Sequence, residues 1–317
     1  MSRFDQVDLN KVRSVSLSKR KSKSEISAFA NTFDGGSAKS FLHSLPGFLK
    51  ANDLIEFMER VAAARKNKFP FHLMMGAHVI KVGLAPIIID LIDRKIVTGI
   101  SMNSAGLIHD LELAFVGKTS EDVAEGLQDG TFGMAAWTAE WFAGVVNLAE
   151  KNFLGLGEAA GRFINESKAK YGKYSLFAAA DKYNIPATVH MVIGTDIVHQ
   201  QATFRPGPAA EASFRDFRIL ANLLMKADRG GAVANFGSAV ILPEVFLKAL
   251  TVARNLKSQK SNLTTANFDM ISHYRPMMNV VTRPTESGGR GFNFIGHHEI
   301  MIPLLAWGLK SYFPTKR

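Results

Sequence analysis

Apolar residues fall in two rhythms along the 317-residue chain. Within residues 48–66, Leu54, Ile55, Met58, Val61 and Ala62 recur at helical spacing, which predicts an amphipathic helix. Beyond it, short apolar runs alternate with Gly-containing turns and amphipathic stretches. Runs at 69–75, 96–102, 187–193, 231–236 and 263–271 predict strands, and the stretches at 86–94, 107–115 and 243–256 predict helices. Apolar strands alternating with helices predict an α/β fold: a doubly wound, mostly parallel sheet with helices on both faces. Residues 120–184 read as a helical excursion between the second and third strands. Its Trp137, Trp141, Phe142 and Val145 stripe reads as core or subunit interface. There is no internal repeat and no linker, so residues 25–317 read as one domain.

Composition changes this picture at one place, the N-terminus. Half of the net charge of +10 resides in residues 1–24, where Arg3, Lys11, Arg13, Lys19, Arg20, Lys21 and Lys23 face only Asp5 and Asp8. This segment reads as a basic flexible arm, and the remaining body is only mildly basic, so nucleic acid is not an expected partner. Asp5, Asp8 and Glu25 argue against an organellar transit segment. No run reaches the ~20 apolar residues of a membrane span, and no apolar leader precedes the arm. A cytoplasmic protein without membrane contact is the expectation. The chain has no cysteine, which excludes disulfides, thiolate metal sites and a thiol nucleophile.

In an open parallel sheet, ligands bind beyond the carboxyl ends of the strands. That rule selects Gly76-Ala77-His78 with Lys81 beyond them. It also selects Asn103, Ser104 and Gly106 with His109 and Asp110 one turn on, Thr195-Asp196 with His199, and Gly237-Ser238. Glycines let a backbone approach a phosphate, and helix N-termini supply N–H donors, so a nucleotide or dinucleotide site is expected. His199 beside Asp196 is a candidate acid/base near neutral pH. The G-x-G-x-x-G fingerprint is absent. Gly155, Gly157 and Gly161 imitate it, but after a helical stretch, so they read as a helix-start turn. Arg275, Arg283, Ser287, Gly288 and Arg290 make the C-terminal third an alternative anion-binding stretch. His297-His298 open the last helix; without a spaced third ligand they read as hydrogen-bonded histidines, and no metal is expected.

The order of these segments resembles the deoxyhypusine synthase superfamily over residues 45–312. Gly76-Ala77-His78 through Gly83 looks like that family's first strand–turn–helix. Asn103-Ser104-Ala105-Gly106 through His109-Asp110 is similar, without gaps, to its Thr-Ala-Gly-Gly-x-Glu-Glu-Asp stretch. Residues 185–199 resemble the stretch ending in its substrate-contacting His, Asn235 to Val240 its Gly-rich turn, and Glu286-Ser287-Gly288-Gly289-Arg290 its Asp-Ser-Gly-Ala-Arg loop. The resemblance implies a Rossmann-like sheet with NAD at the strand ends and a homo-oligomer, a tetramer by family. It implies oxidation of an amine followed by alkyl-amine transfer. Gly76, Ala77, His78, Asn103, Ser104, Gly106, Thr195, Asp196, Gly237, Ser238, Ser287 and Gly288 would meet the cofactor. His199, His109 and Asp110 would be catalytic, and Arg275, Arg283, Arg290, His297 and His298 would bind substrate. Two departures stand out. The family's lysine in Ser-Trp-Gly-Lys has no counterpart after Arg290, since Lys310 falls inside the last helix. The acidic pair becomes Ile108-His109, which with the arginines points to a more anionic substrate. A non-catalytic oligomeric nucleotide-binding or interaction protein is the alternative.

Overall fold

The computed structural model describes residues 2–256 and 261–313; Met1 of the arm and residues 314–317 of the domain lie outside them. Six strands form one all-parallel sheet in the order β3-β2-β1-β4-β5-β6: β1 (Phe71–Met75), β2 (Gly99–Asn103), β3 (Ala187–His190), β4 (Ala232–Phe236), β5 (Thr264–Asp269) and β6 (Arg290–Ile295). Successive crossovers run one way from β1 to β3, then reverse to β4. The reversal places a switch point between β1 and β4.

Helices α1 (Ala38–Ser44) and α2 (Leu49–Lys66) precede the sheet. α3 (His78–Lys81) and α4 (Ala85–Asp93) join β1 to β2. α5 (Ser104–Val116) follows β2, and the excursion comprises α6 (Val123–Asp129), α7 (Ala136–Asn152), α8 (Leu156–Glu166) and α9 (Leu176–Lys182). α10 (Pro206–Ala227) and α11 (Ile241–Leu256) flank β4. After β5 comes a single turn, α12 (Tyr274–Pro276), which runs into a π-helical segment, Met277–Thr282; α13 (His298–Ser311) closes the fold. Helices cover both faces, as the pattern predicts.

The sixth strand is absent from the sequence reading. Its burial alternates because it is the edge strand, and a Gly/Ser/Arg loop leads into it, so its pattern is weak. The five other strands are buried on both faces, with β2 half-buried only at Asn103. Strand register puts Phe71, Leu73, Met75, Ile100, Met102, Phe236, Phe268, Phe292 and Phe294 in the core that includes α2 and α13. The alternate positions, among them Met74 and Val233, face α10 and α11.

The Gly155–Gly161 stretch begins α8, as its context implies. Gly155 is the N-cap, and a Cβ there would fall 1.8 Å from Asp216 Oδ1. Asp216 Oδ2 accepts from the N–H groups of Gly157 (3.0 Å) and Val189 (2.8 Å). The chain's own carboxyl therefore fills the place a bound anion would take at this helix start.

Candidate functional site

Three strand-end elements meet at the switch point. A Cβ on Gly76 would lie 2.5 Å from the Gly237 carbonyl oxygen, so only glycine lets the β1 turn pass the β4 turn this closely. Gly237 has φ +64°, and a Cβ there would meet the His298 ring at 2.5 Å. His298 is buried, and its Nε2–H donates to the Phe268 carbonyl at 3.1 Å. That bond leaves Nδ1 as the lone-pair nitrogen, and Nδ1 has no partner. The His78 ring lies 5.8 Å away, centroid to centroid. Neither α3 nor α13 has a side-chain cap; the Gly76 and Ala77 carbonyls take the Val79 and Ile80 N–H groups of α3 and the His297 carbonyl takes Ile300 N–H, so among the described residues the N–H groups of His78, His298 and Glu299 stay open at this place. The neighbouring helices are closed by their own sequence: Asn103 accepts from Gly106 N–H at 3.0 Å, and Ser238 Oγ from Leu242 N–H at 3.2 Å.

Beyond α3 opens a cavity of ≈ 240 Å³, whose lining includes Lys81, His109, Glu112, Glu121, Thr195 and Asp196. A relay stands on its wall. The Thr119 hydroxyl donates to Glu112, so its oxygen is the acceptor for His109 Nδ1–H at 2.6 Å. Thr138 also donates to Glu112, at 2.9 Å. The tautomer so fixed leaves His109 Nε2 as the basic nitrogen. Burial lowers the His109 pKa below its ordinary 6.5; Glu112 opposes this and Lys81 adds to it. His109 is therefore a neutral base at neutral pH. Burial raises the Asp196 pKa, against the Ser104 hydroxyl that donates to it.

The structure gathers Gly76, Ala77, His78, Gly237, Ser238 and His298 at the switch point, and His109, Thr195 and Asp196 at the cavity. Asn103, Ser104 and Gly106 lie between them at the start of α5. Other candidates are elsewhere. Asp110 is fully buried and caps α9, accepting from Ser175 Oγ and, at 2.8 Å, from Leu176 N–H. Burial pushes its pKa up to about 6. His199 is locked in a capping box: its Nδ1 accepts from Gly194 and Asp196 N–H, and its ring sits against Phe204. Ser287, Gly288, Arg283 and Arg290 stand at the wrong end of the sheet. β6 is parallel and starts at Arg290, so the loop before it is at the amino ends of the strands. A Cβ on Gly288 would meet the Ser261 carbonyl at 2.3 Å, just before β5, and Arg290 is spent on Asp53 and Glu56 of α2. Arg283 donates to Asn279 and Arg275 pairs with Glu244. His297 is exposed, 3.8 Å from Glu299.

The expectation of a more anionic substrate finds no support in the lining of this cavity. No arginine lines the cavity; three carboxylates and one lysine do. The sequence reading missed Glu112, Thr119 and Thr138. Glu112 had a signal, since i, i+3 spacing puts it on the His109 side of α5. The threonines had none, because Thr119 comes from the loop after α5 and Thr138 from the excursion.

No family model matches the chain, and no curated protein does. Solved structures do. A putative deoxyhypusine synthase from Entamoeba histolytica superposes with a TM-score of 0.55 at 12% identity, over 90% of this chain and 97% of that one. ArgZ, an arginine dihydrolase from the ornithine–ammonia cycle in cyanobacteria, gives 0.50 at 14% identity, over 83% of this chain and 32% of that one. An AgrE mutant in complex with L-arginine gives 0.50 at 12%, over 81% and 31%. The chain spans about a third of the length of these last two. This is an α/β protein of the doubly wound, all-parallel class. Its fold is that of deoxyhypusine synthase, and at these identities the likeness is one of fold.

Proposed function

We propose that the protein is an NAD-dependent enzyme of amine chemistry, with the cofactor at the β1/β4 switch point and a small cationic substrate in the adjoining cavity. The observation that carries this reading is the juxtaposition at the switch point. An uncapped glycine turn after β1, a left-handed glycine after β4 and the unpartnered Nδ1 of buried His298 converge beside a carboxylate-lined cavity. Open N–H groups suit phosphate, and a lone pair without a donor suits a hydroxyl or amide N–H of a nucleotide. Gly76, Ala77, His78, Gly237, Ser238 and His298 would hold the cofactor, with Asn103, Ser104, Gly106 and Thr195 flanking it. When bound, NAD supplies a hydride acceptor for the carbon that carries the amine nitrogen.

The chain's own residues account for the rest. Glu112, Glu121 and Asp196 hold an ammonium group by charge. His109 Nε2 takes its proton, and Glu112, through Thr119, steadies the imidazolium that results. No lysine stands where the family carries its acceptor, so the second half of the reaction uses a different acceptor. We propose a homo-oligomeric assembly.

Calorimetric titration with NAD, followed by a screen of small amines for NADH formation, tests the reading. Binding that fails in Gly237→Val, with NADH formation lost in His109→Asn, is the expected result. Absence of NAD binding by the unaltered protein overturns it. The self-capped starts of α5 and α11 favour a second reading, a nucleotide-binding protein without turnover. It predicts tight NAD binding and no NADH with any amine.

A further inference from the structure

The tryptophan stripe of α7 divides in the structure. Phe142 and Val145 are buried in the core, but Trp137 is 66% exposed. An indole this open stands out, because tryptophan is on average a highly buried residue. Trp137 and Trp141 lie one turn apart, with ring centroids 6.2 Å apart and planes tilted by 47°, so their faces form a corner. Trp141 is held from one side by Phe115, stacked at 4.5 Å and 13°, and Phe115 in turn leans on Phe163. Trp137 meets no other aromatic ring among the described residues, and no Lys or Arg among them stands over either indole.

The corner belongs to a second cavity, of ≈ 420 Å³. Glu112, Ser120, Glu121 and Ala135 line both this cavity and the one that holds His109, so the two share a wall. The carboxylates of that wall already accept hydrogen bonds. Glu112 takes the Thr119 hydroxyl on one oxygen and the Thr138 hydroxyl on the other. Both oxygens of Glu121 face Gly133 N–H, at 3.1 and 3.2 Å. The wall is therefore rich in negative charge and short of free acceptors. A primary ammonium brings three N–H donors that each need an acceptor, whereas a fully methylated one brings charge and no donor. Two indole faces beside two carboxylates suit the second kind of cation. Lys118 lines the cavity as well, but it is exposed to solvent.

We propose that this cavity is a subsite for an N-methylated ammonium group, at the far end of the amine whose other nitrogen meets His109. The link to the reacting end rests on the function proposed above; the tryptophan corner itself needs no cofactor.

Fluorescence titration of the full chain with tetramethylammonium tests this. The chain has only three tryptophans, and Trp307 packs against Phe41 on α13, away from the corner, so it supplies a constant background. A saturable change is expected with tetramethylammonium. Neopentyl alcohol, its uncharged counterpart, and methylammonium, its primary-amine counterpart, should each bind about tenfold more weakly. Trp137→Leu alters an exposed side chain and should weaken tetramethylammonium about tenfold, while Trp137→Phe, which keeps a π face, restores most of the binding. NAD titrated by calorimetry should bind Trp137→Leu as it binds the unaltered chain. Tetramethylammonium binding without NAD binding leaves this subsite standing and removes the cofactor reading. No saturable change, an equal response to neopentyl alcohol or methylammonium, or undiminished binding in Trp137→Leu overturns the proposal. So does a Trp137→Leu chain that falls to a smaller assembly in sedimentation, which would make the open indole a subunit contact.

Discussion

On the face under α2 and α13, the strands present Phe71, Leu73, Met75, Phe236, Phe268, Phe292 and Phe294, and the Phe57 ring of α2 packs edge-on against three of these rings. On the face under α10 and α11, the same strands present His72, Ser101, Thr188, His190, Asn235, Asn267 and Asn293. Both faces are buried. The second is held by two side-chain ladders. His72 Nε2 meets Ser101 Oγ at 2.8 Å, Ser101 meets Thr188 at 2.6 Å, and Thr188 meets His190 Nε2 at 3.0 Å. Asn235 donates to Asn267 at 2.8 Å, and Asn267 to Asn293 at 3.0 Å. The first face stabilises by area removed from water, without direction. The second depends on pairing donors with acceptors, so its ladders tie β1 to β2 and β3, and β4 to β5 and β6, in fixed register. The candidate site lies at the carboxyl ends of these same strands.

The largest expected effect is on the apolar face. Phe57→Ala should cost about 3–5 kcal/mol in urea unfolding, since it empties the centre of the ring cluster. A cost below that of a polar-face substitution would break the comparison. Asn267→Ala should cost about 2 kcal/mol, because it strands one N–H of the Asn235 amide, whose other N–H keeps the Ser238 carbonyl, and removes the donor to the Asn293 side-chain oxygen. Asn235→Val/Asn267→Val/Asn293→Val should recover part of that loss, which removal of one partner alone cannot.

The pH dependence of stability is a finer difference, since the buried titrating groups sit with the polar face. Burial lowers His72 to about 3, and burial with the His72 charge lowers His190 to about 3. The unfolded chain then binds protons below pH 6.5 that the folded chain refuses. Their stabilising share is full above pH 6.5 and falls as the pH drops toward 3. Burial pushes Asp216 the other way, up to about 8, so its share is present at acid pH and lost as the pH rises through 8. Urea midpoints against pH should lose part of their acid slope in His72→Gln, with His190 keeping the rest, and their slope between pH 4 and 8 in Asp216→Asn. Unchanged slopes would show that these groups do not titrate as their burial dictates. The smallest stability effect, below about 1 kcal/mol, is expected for Glu112→Gln at the cavity wall, where water reaches the group. Its signature is a raised KM for a cationic substrate.

Five strands and the helices around them were legible, because apolar runs bounded by glycine turns report burial directly. The polar face was not, since His72 and Asn235 inside those runs look like interruptions until register shows them paired. β6 was hidden by its edge position. At the site, the strand-end rule found Gly76, Gly237 and His109. Ser287 and Arg290 came from composition and the resemblance instead, and the structure puts their Gly/Ser/Arg stretch before β6, at the amino ends of the strands. Asp110 and His199 carried the right chemistry at the right spacing, but the excursion and Phe204 claim them for packing. Nothing local in a sequence reports which neighbour a side chain will meet.

The central claim is that the ligand end of this sheet is its carboxyl edge at the β1/β4 switch point. Hydrogen–deuterium exchange of the full chain with and without NAD tests it most directly. Protection is predicted in peptides covering residues 75–81, 103–109, 236–239 and 296–299, with residues 283–290 unchanged. Protection confined to 283–290, or no change anywhere, would contradict the account.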